Sequence, residues 1–212
     1  MKKLLSIFLI TLNLTTSCKK DMDDIVVYQT TFKNADLWPV GTYNFYSFNI
    51  NQDKYEIEVK SPNCYAYAIA PYENINFDYA IAVDCSMFLE DSTKQGAMGI
   101  IYNYFSESYF TFFYLYNDGY FEVIKKEASS YKILVQSILG RDIIKSQGKT
   151  NRIEVIQKST STEFILNNTL IGVISIGRDY PSVMAGVVTE SVGGSKFTGV
   201  KVLFDNFIIR RI

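Results

Sequence analysis

The chain has 212 residues, a net charge of −1 and no histidine. The commonest general base and the commonest transition-metal ligand are therefore missing, which excludes Ser-His-Asp, Cys-His and histidine-metal chemistry. No run of basic residues forms the footprint of a nucleic-acid-binding protein, so nucleic acid is not expected as a partner. The 16 tyrosines and 15 phenylalanines favour β-sheets.

The N-terminus has the three-part layout of a secretory signal peptide. Lys2 and Lys3 supply positive charge, residues 4–14 are mostly apolar, and residues 15–17 are small. A membrane-spanning helix needs roughly 20 apolar residues. We therefore predict that residues 1–17 are cleaved and do not remain as a membrane anchor.

Cys18 directly follows those small residues, and the arrangement resembles the lipobox of bacterial lipoproteins. In that family the cysteine carries the lipid and becomes the new N-terminus. An aliphatic residue usually stands three positions earlier, where this chain has Thr15. The resemblance implies a palmitate-bearing lipoprotein of the bacterial outer membrane, facing the periplasm or the cell surface, with residues 18–30 as lipidated cysteine and flexible tether. The alternative is an ordinary signal peptide followed by an incidental cysteine.

Residues 31–212 are predicted to form one domain with a substantial core. Lys54–Val59 alternates polar and apolar residues, as a half-buried strand does. Asparagines at 167–168 predict a two-residue hairpin, and residues 117–119 predict another turn. About a dozen such strands predict an antiparallel β-sandwich. The inward face of the last strand switches around residues 205–206, which predicts a β-bulge there.

Two further cysteines, Cys64 and Cys85, allow two interpretations. If Ala70 paired with Tyr79 across a hairpin closed by residues 71–78, Cys64 would lie opposite Cys85. A disulfide would then be geometrically feasible in an exported protein. Two buried free thiols are the alternative.

A series of short motifs follows the expected order of strands. These are Trp38-Pro39-Val40-Gly41, Tyr65-Ala66-Tyr67-Ala68, Gly99-Ile100-Ile101-Tyr102, Tyr109-Phe110-Thr111-Phe112, Asp118-Gly119-Tyr120, Phe164-Ile165-Leu166-Asn167-Asn168 and Phe204-Asp205-Asn206-Phe207. Their order and spacing over residues 32–212 resemble the concanavalin A-like and laminin G-like jelly rolls of bacterial surface proteins and glycan-degrading systems. The resemblance implies an all-β jelly-roll sandwich, a fold that serves lectins, glycanases, adhesion modules and spacers.

No catalytic residue is predicted. Glycanases of this fold typically carry a Glu-x-Asp-x-x-Glu pattern on one strand, with one carboxylate as nucleophile and another as acid. The chain lacks that pattern. Its nearest acidic cluster is Asp84, Glu90 and Asp91, which we interpret as strand-edge and turn residues.

The residues 109–116 are apolar or aromatic on both faces of the predicted strand. One face must fill the core. The other, which includes Tyr114 and Tyr116, is predicted to line a concave sheet where tyrosine rings stack on sugars and their hydroxyls form hydrogen bonds. Tyr102 and Tyr104 on a neighbouring strand extend this candidate site. The alternative is that a curved sheet buries the aromatic residues on both faces under long loops.

Four other residues are weaker candidates. Trp38 could form the rim of a groove or fill the core, and Arg178 could contact a ligand or belong to a surface turn. Asp205 and Asn206 could coordinate a structural calcium ion, as in some jelly rolls of this type. Side-chain hydrogen bonds within a bulge explain this pair equally well.

The leading hypothesis is a surface-anchored, non-enzymatic module that binds extracellular carbohydrate, with no cofactor beyond that calcium. The alternative is a structural or adhesive lipoprotein that binds a protein partner, marked by a large exposed apolar patch without a groove. A glycoside hydrolase or lyase is the third hypothesis. It requires two carboxylates that face each other in the concave sheet.

Overall fold

A computed structural model describes residues 24–33, 37–89, 95–139, 143–145, 147–193 and 199–212. The predicted signal peptide, Cys18, Glu90 and Asp91 lie outside these residues. The described residues form fifteen β-strands and no α-helix, and none of them belongs to a helix long and apolar enough to cross a membrane. The strands are β1 Ile25–Thr30, β2 Gly41–Thr42, β3 Tyr46–Asn51, β4 Lys54–Val59, β5 Cys64–Ile69, β6 Tyr79–Leu89, β7 Gln95–Ser106, β8 Tyr109–Tyr116, β9 Tyr120–Glu127, β10 Ser130–Ile138, β11 Asn151–Gln157, β12 Thr162–Leu166, β13 Thr169–Ile174, β14 Met184–Val192 and β15 Val200–Arg211.

The strands form two antiparallel sheets, which confirms the predicted all-β sandwich. Sheet A has nine strands in the order β13-β12-β11-β6-β15-β4-β3-β2, with β1 also paired to β15. Sheet B has six strands in the order β10-β9-β8-β7-β14-β5. One side of the sandwich therefore ends in β2 and β3 of sheet A and in β5 of sheet B.

Alternation of apolar residues places the core between the two sheets. Tyr55, Ile57 and Val59 of β4 point inward and are fully buried, as predicted from their spacing. Phe113 and Leu115 of β8 belong to the same apolar cluster and contribute to it from sheet B.

The predicted turns are confirmed. Asn167 and Asn168 join β12 to β13 with φ angles of 49° and 68°, the left-handed conformation that a two-residue hairpin needs and that asparagine tolerates. Gly119, with φ of 93°, closes the turn between β8 and β9.

Strand β15 organises sheet A. It pairs with β6 on one side, and on its other side first with β4 and then with β1. The register on β6 shifts between Asp205 and Ile208, and Asn206 has φ of 49°, which confirms the predicted bulge. Because β1 begins at Ile25 and pairs with the end of β15, residues 25–30 belong to the sheet and not to a tether.

The hairpin that would have brought Cys64 opposite Cys85 is wrong. Strand β5 belongs to sheet B and β6 to sheet A, so residues 71–78 cross between the sheets. Both cysteines are free thiols. Cys85 is fully buried and its Sγ lies 3.4 Å from the carbonyl oxygen of Asn151.

Candidate functional site

The outer face of sheet B is filled by the aromatic side chains of β8. These residues point to that face as predicted, but none is more than 5% exposed. Their rings lie against one another along the strand, with successive centroids 4.6, 5.0 and 6.0 Å apart. The adjacent strand β7 presents small residues there. The rings are those of Phe110, Phe112, Tyr114 and Tyr116, and the small residues are Ala97 and Gly99.

Sheet B is strongly curved, and its outer face is concave. Tyr65 on β5 and Tyr131 on β10 stand at opposite edges of the sheet, yet their hydroxyl oxygens are 3.0 Å apart. Six strands about 4.8 Å apart would hold the edges of a flat sheet about 24 Å apart, farther than two tyrosines reach. Phe112 contacts Tyr65 edge-on, with centroids 5.3 Å apart. The concave face is therefore closed over by its own edges, and it offers no open platform at Tyr114 and Tyr116.

An open cleft lies beside this face. It is located where β3, near the edge of sheet A, faces β5, the edge strand of sheet B. It has a volume of about 550 Å³. We call it the tyrosine cleft; its lining consists of Tyr43, Tyr46, Phe48, Asn63, Cys64, Tyr65, Ala66 and Tyr67. Four of these eight residues are tyrosines.

The local sequence explains both walls of the tyrosine cleft. In β5 the alternation of tyrosine and alanine turns Ala66 and Ala68 into the core and leaves Tyr65 and Tyr67 outside, half-buried. On the other wall, Tyr43 is 49% exposed and its ring lies 5.0 Å from that of Tyr46. Each wall thus offers partly exposed tyrosine rings.

Two carboxylates meet on the concave face next to this cleft. The hydroxyl oxygen of Tyr116 lies 2.9 Å from Oε2 of Glu190 on β14 and 3.2 Å from Oε2 of Glu122 on β9. We call Glu122 and Glu190 the acid pair. Since a phenol has one proton, Tyr116 donates to one carboxylate at a time, and the arrangement is best satisfied when the other carboxyl holds a proton of its own.

Burial perturbs both members of the acid pair. It raises the pKa of Glu190 to about 7, with a further increase from the charge of Glu122 and an opposing effect of the Tyr116 hydrogen bond. Burial also raises the pKa of Glu122, again opposed by Tyr116. The pair therefore gives up its second proton near neutral pH. The hydrolase hypothesis requires two carboxylates on the concave face, and the acid pair lies there on two different strands.

The structure brings together only some of the predicted aromatic site residues. Tyr104 is half-buried on the concave face, 5.9 Å from the ring of Tyr67, so it joins Tyr114 and Tyr116 there. Tyr102 does not, because it follows Met98 and Ile100 into the core. The positive φ of 50° at Asn103 and the register shift after Tyr102 interrupt the alternation and turn only Tyr104 to the concave face. Tyr102 points into the core and is 1% exposed.

Trp38 is a core residue and not a groove rim. It is 3% exposed, and its ring packs against those of Phe32, Tyr55 and Phe207 at 5.0–5.3 Å. Its indole N–H donates to the hydroxyl of Tyr28 at 2.8 Å.

The remaining candidates are engaged in structural hydrogen bonds. Arg178 donates to the carbonyl oxygen of Phe77 at 2.9 Å, away from the concave aromatics. Asp205 accepts from the backbone N–H of Asn206 at 2.7 Å, and the Asn206 amide donates to Asp84 at 2.8 Å. Calcium takes six to eight oxygen ligands, and no group of three or more metal-ligating acidic, cysteine or histidine side chains occurs among the described residues. These hydrogen bonds account for both side chains at the bulge, and the calcium site stays a prediction.

Sequence reasoning missed the acid pair and the tyrosine cleft. Glu122 and Glu190 are 68 residues apart in numbering and meet only because β8 carries Tyr116 between their strands. A usable signal existed for Glu190, which shares its strand face with Val188 and Val192, whereas Glu122 shares its face with Ile124 and with Lys126. Tyr65 and Tyr67 belong to a motif visible in the sequence, but Tyr43 on the opposite wall follows a two-residue strand that no periodicity predicts.

The chain matches no model of a known protein family and no curated protein sequence. Solved structures do share its fold. The carbohydrate-binding module CBM66 from Bacillus subtilis superposes with a TM-score of 0.60 at 10% identity, covering 82% of this chain and 94% of that one. The GlcNAcα1-4Gal-releasing endo-β-galactosidase from Clostridium perfringens gives 0.62 at 8% identity, covering 90% and 64%. The catalytic domain of an endo-1,3-β-glucanase from Thermotoga petrophila gives 0.55 at 10% identity, covering 89% and 98%. These similarities establish a jelly-roll β-sandwich.

The buried Glu190 predicts a stability that falls with rising pH. Its pKa is about 7 in the folded protein and 4.5 ordinarily, so between these values the folded state holds the proton more tightly than the unfolded state. The stabilisation is complete below about pH 4.5 and is lost as pH rises through 7, by up to about 3 kcal/mol. Glu190→Gln should remove this loss and be the more stable protein at pH 8, as measured by urea unfolding at pH 5, 6.5 and 8.

The exposed Glu73 supplies a matched control, since Glu73→Gln should leave the pH profile of wild type unchanged. The raised pKa of Glu190 would be contradicted if the free energy of unfolding of wild type stayed level or rose from pH 5 to 8 and Glu190→Gln were no more stable at pH 8. The titratable groups that face Glu190 are Cys64 and Tyr65 on β5, Tyr114 and Tyr116 on β8, and Glu122 on β9.

Proposed function

We propose that this protein is a non-enzymatic carbohydrate-binding module and that the sugar binds in the tyrosine cleft. The observation that carries the proposal is the cleft itself: four tyrosine rings from two sheet edges around an opening of about 550 Å³. Tyrosine suits sugars because its ring covers the apolar face of a pyranose while its hydroxyl meets the sugar hydroxyls. The volume lies within the range of about 300–1,000 Å³ typical of ligand sites.

The shared fold supports this proposal without assigning a ligand. A carbohydrate-binding module and two glycan-cleaving enzymes have the same sandwich, and function within one fold depends on the site. The proposed site differs from the one first expected. Tyr114 and Tyr116 are buried, so they support the rings of the site and do not form its surface.

Replacing Tyr43 by alanine should weaken glycan binding and leave the fold intact. The ring is half exposed, so its loss removes ligand contacts worth about 1–2 kcal/mol, or roughly a five- to thirtyfold loss of affinity. A glycan array would identify a ligand, and titration calorimetry would compare wild type with Tyr43→Ala.

Phe105→Ala is the matched control, because Phe105 is 52% exposed, lies outside the cleft and stacks on Tyr180. It should bind like wild type. Equal binding by folded Tyr43→Ala and wild type would remove the tyrosine cleft as the site. No binding to any glycan by folded wild type would favour an adhesive protein with a protein partner.

A glycoside hydrolase is the second candidate, and the acid pair is the specific observation that favours it. A carboxyl with a pKa near 7 can donate a proton to a leaving group, while an ionised neighbour acts as base or nucleophile. Glu190 would be the acid and Glu122 its partner. Both lie within hydrogen-bonding distance of Tyr116.

Reducing-end release separates the two candidates. The binding-module proposal predicts that wild type releases no more reducing ends from the glycans it binds than the variants Glu122→Gln and Glu190→Gln do. Release by wild type that disappears in both variants would establish a hydrolase in its place.

We further propose that the protein is a lipoprotein, anchored by lipid on Cys18 to the bacterial outer membrane and facing the periplasm or the cell surface. The proposal is supported by the charged start, the short apolar run and the small residues before the cysteine. Two or more acyl chains anchor a protein stably, so no membrane helix is required.

Cys18→Ala should abolish incorporation of a clickable palmitate analogue and release the protein from membranes. Cys64→Ala is the control and should remain labelled and membrane-bound. Continued labelling or membrane attachment of Cys18→Ala would contradict the lipid anchor.

A further inference from the structure

Within the part of the chain that the structure describes, the acid pair makes no ion pair, and Lys126, which shares the concave face, lies over the rings of Phe110 and Tyr131 instead. Among the described residues, no lysine or arginine forms an ion pair with Glu122 or Glu190, whereas Lys125, Arg152 and other cations have acidic partners elsewhere. Glu122 is only 8% exposed. Burying carboxylates without a cation is costly, and the cost is relieved either by a proton or by a positively charged ligand.

A third oxygen beside the pair also lacks a partner. The hydroxyl of Tyr114 is fully buried and makes no hydrogen bond. It lies beside the pair, because Tyr114 is directly opposite Glu122 across β8 and β9. Burial and then the charge of Glu190 raise the pKa of Tyr114. Buried polar groups are nearly always satisfied, so an unpaired hydroxyl beside two carboxylates points to a missing donor.

Aromatic rings surround these oxygens. The ring of Tyr116 lies 6.0 Å from that of Tyr114 and 5.6 Å from that of Tyr120. The faces of such rings attract cations, including lysine ammonium groups and ligand cations. An anionic sugar would be repelled here.

The acid pair is continuous with the tyrosine cleft. Glu190 pairs directly with Tyr65 across β14 and β5, and Tyr65 lines the cleft. Glu190 is half-buried as a residue, whereas Glu122 and Tyr114 are buried. A ligand seated in the cleft can therefore place one substituent at Glu190.

We propose that Glu122, Glu190 and Tyr114 form a subsite for a primary ammonium group, and that the glycan ligand is an amino sugar with a free amine. This inference rests on the proposed function, since it places the sugar in the tyrosine cleft. A primary ammonium has three N–H donors, and the subsite offers three acceptors: two carboxylates and the Tyr114 oxygen. A neutral hydroxyl or an N-acetyl group cannot supply both the charge and the three donors.

The test compares two probes that differ only at nitrogen: a β-1,4-linked glucosamine hexamer and its fully N-acetylated form, titrated calorimetrically at pH 7. Wild type should prefer the free amine by about tenfold, equivalent to about 1.4 kcal/mol. Glu122→Gln and Glu190→Gln should bring the ratio of the two affinities close to one. Tyr114→Phe removes only the unpaired hydroxyl and should lower the ratio severalfold.

Two controls separate the subsite from the cleft. Tyr43→Ala should weaken both probes by the same factor and leave their ratio unchanged, and Glu73→Gln should change neither affinity. A purely structural role of the acid pair would lower both affinities together.

Each other outcome overturns a defined claim. Equal affinities, or a preference for the acetylated hexamer, overturn the ammonium subsite and leave the carbohydrate-binding proposal standing. Binding of other glycans on an array but of neither hexamer has the same meaning. Binding of no glycan at all overturns both proposals.

Discussion

Both faces of β8 must be buried, and the shape of the whole molecule follows from this requirement. One face fills the core with Phe113 and Leu115, while the other carries four further aromatic rings that would be exposed on a flat sheet. Sheet B buries them by curving until Tyr65 and Tyr131 meet above them. The apolar area so removed from water stabilises the curved form at about 25 cal/mol per Å². The open tyrosine cleft then lies at the edge of the sandwich.

The burial of aromatic rings on the concave face has an electrostatic consequence for the polar residues beside them. Tyr116 and its two glutamate neighbours are drawn into a region with little water, where a charge without a partner is destabilising and a proton or a cation is favoured. The packing that closes the concave face thus also buries the acid pair and its hydrogen bonds to Tyr116. The tyrosine cleft and the acid pair are two parts of one surface, joined at Tyr65.

Features decided by neighbouring residues could be predicted from the sequence, and features decided by distant ones could not. The alternation in β4, the asparagine hairpin at 167–168 and the bulge in β15 depend on local side-chain spacing and backbone conformation. Whether Tyr114 is exposed or buried depends on how far the sheet curves, and the sequence of one strand does not determine that curvature. The assumed pairing of Cys64 with Cys85 failed because the chain between them crosses from one sheet to the other.

The position of the first strand sets a limit on where the proposed lipid anchor can hold the domain. Strand β1 pairs with β15 from Ile25 onward. The only chain between the proposed lipid and the fold is therefore residues 18–25. Seven residue steps extend at most about 25 Å, roughly the diameter of a small domain. An anchored molecule would therefore remain close to the membrane plane and meet short or flat-lying glycans there more readily than the tips of long chains.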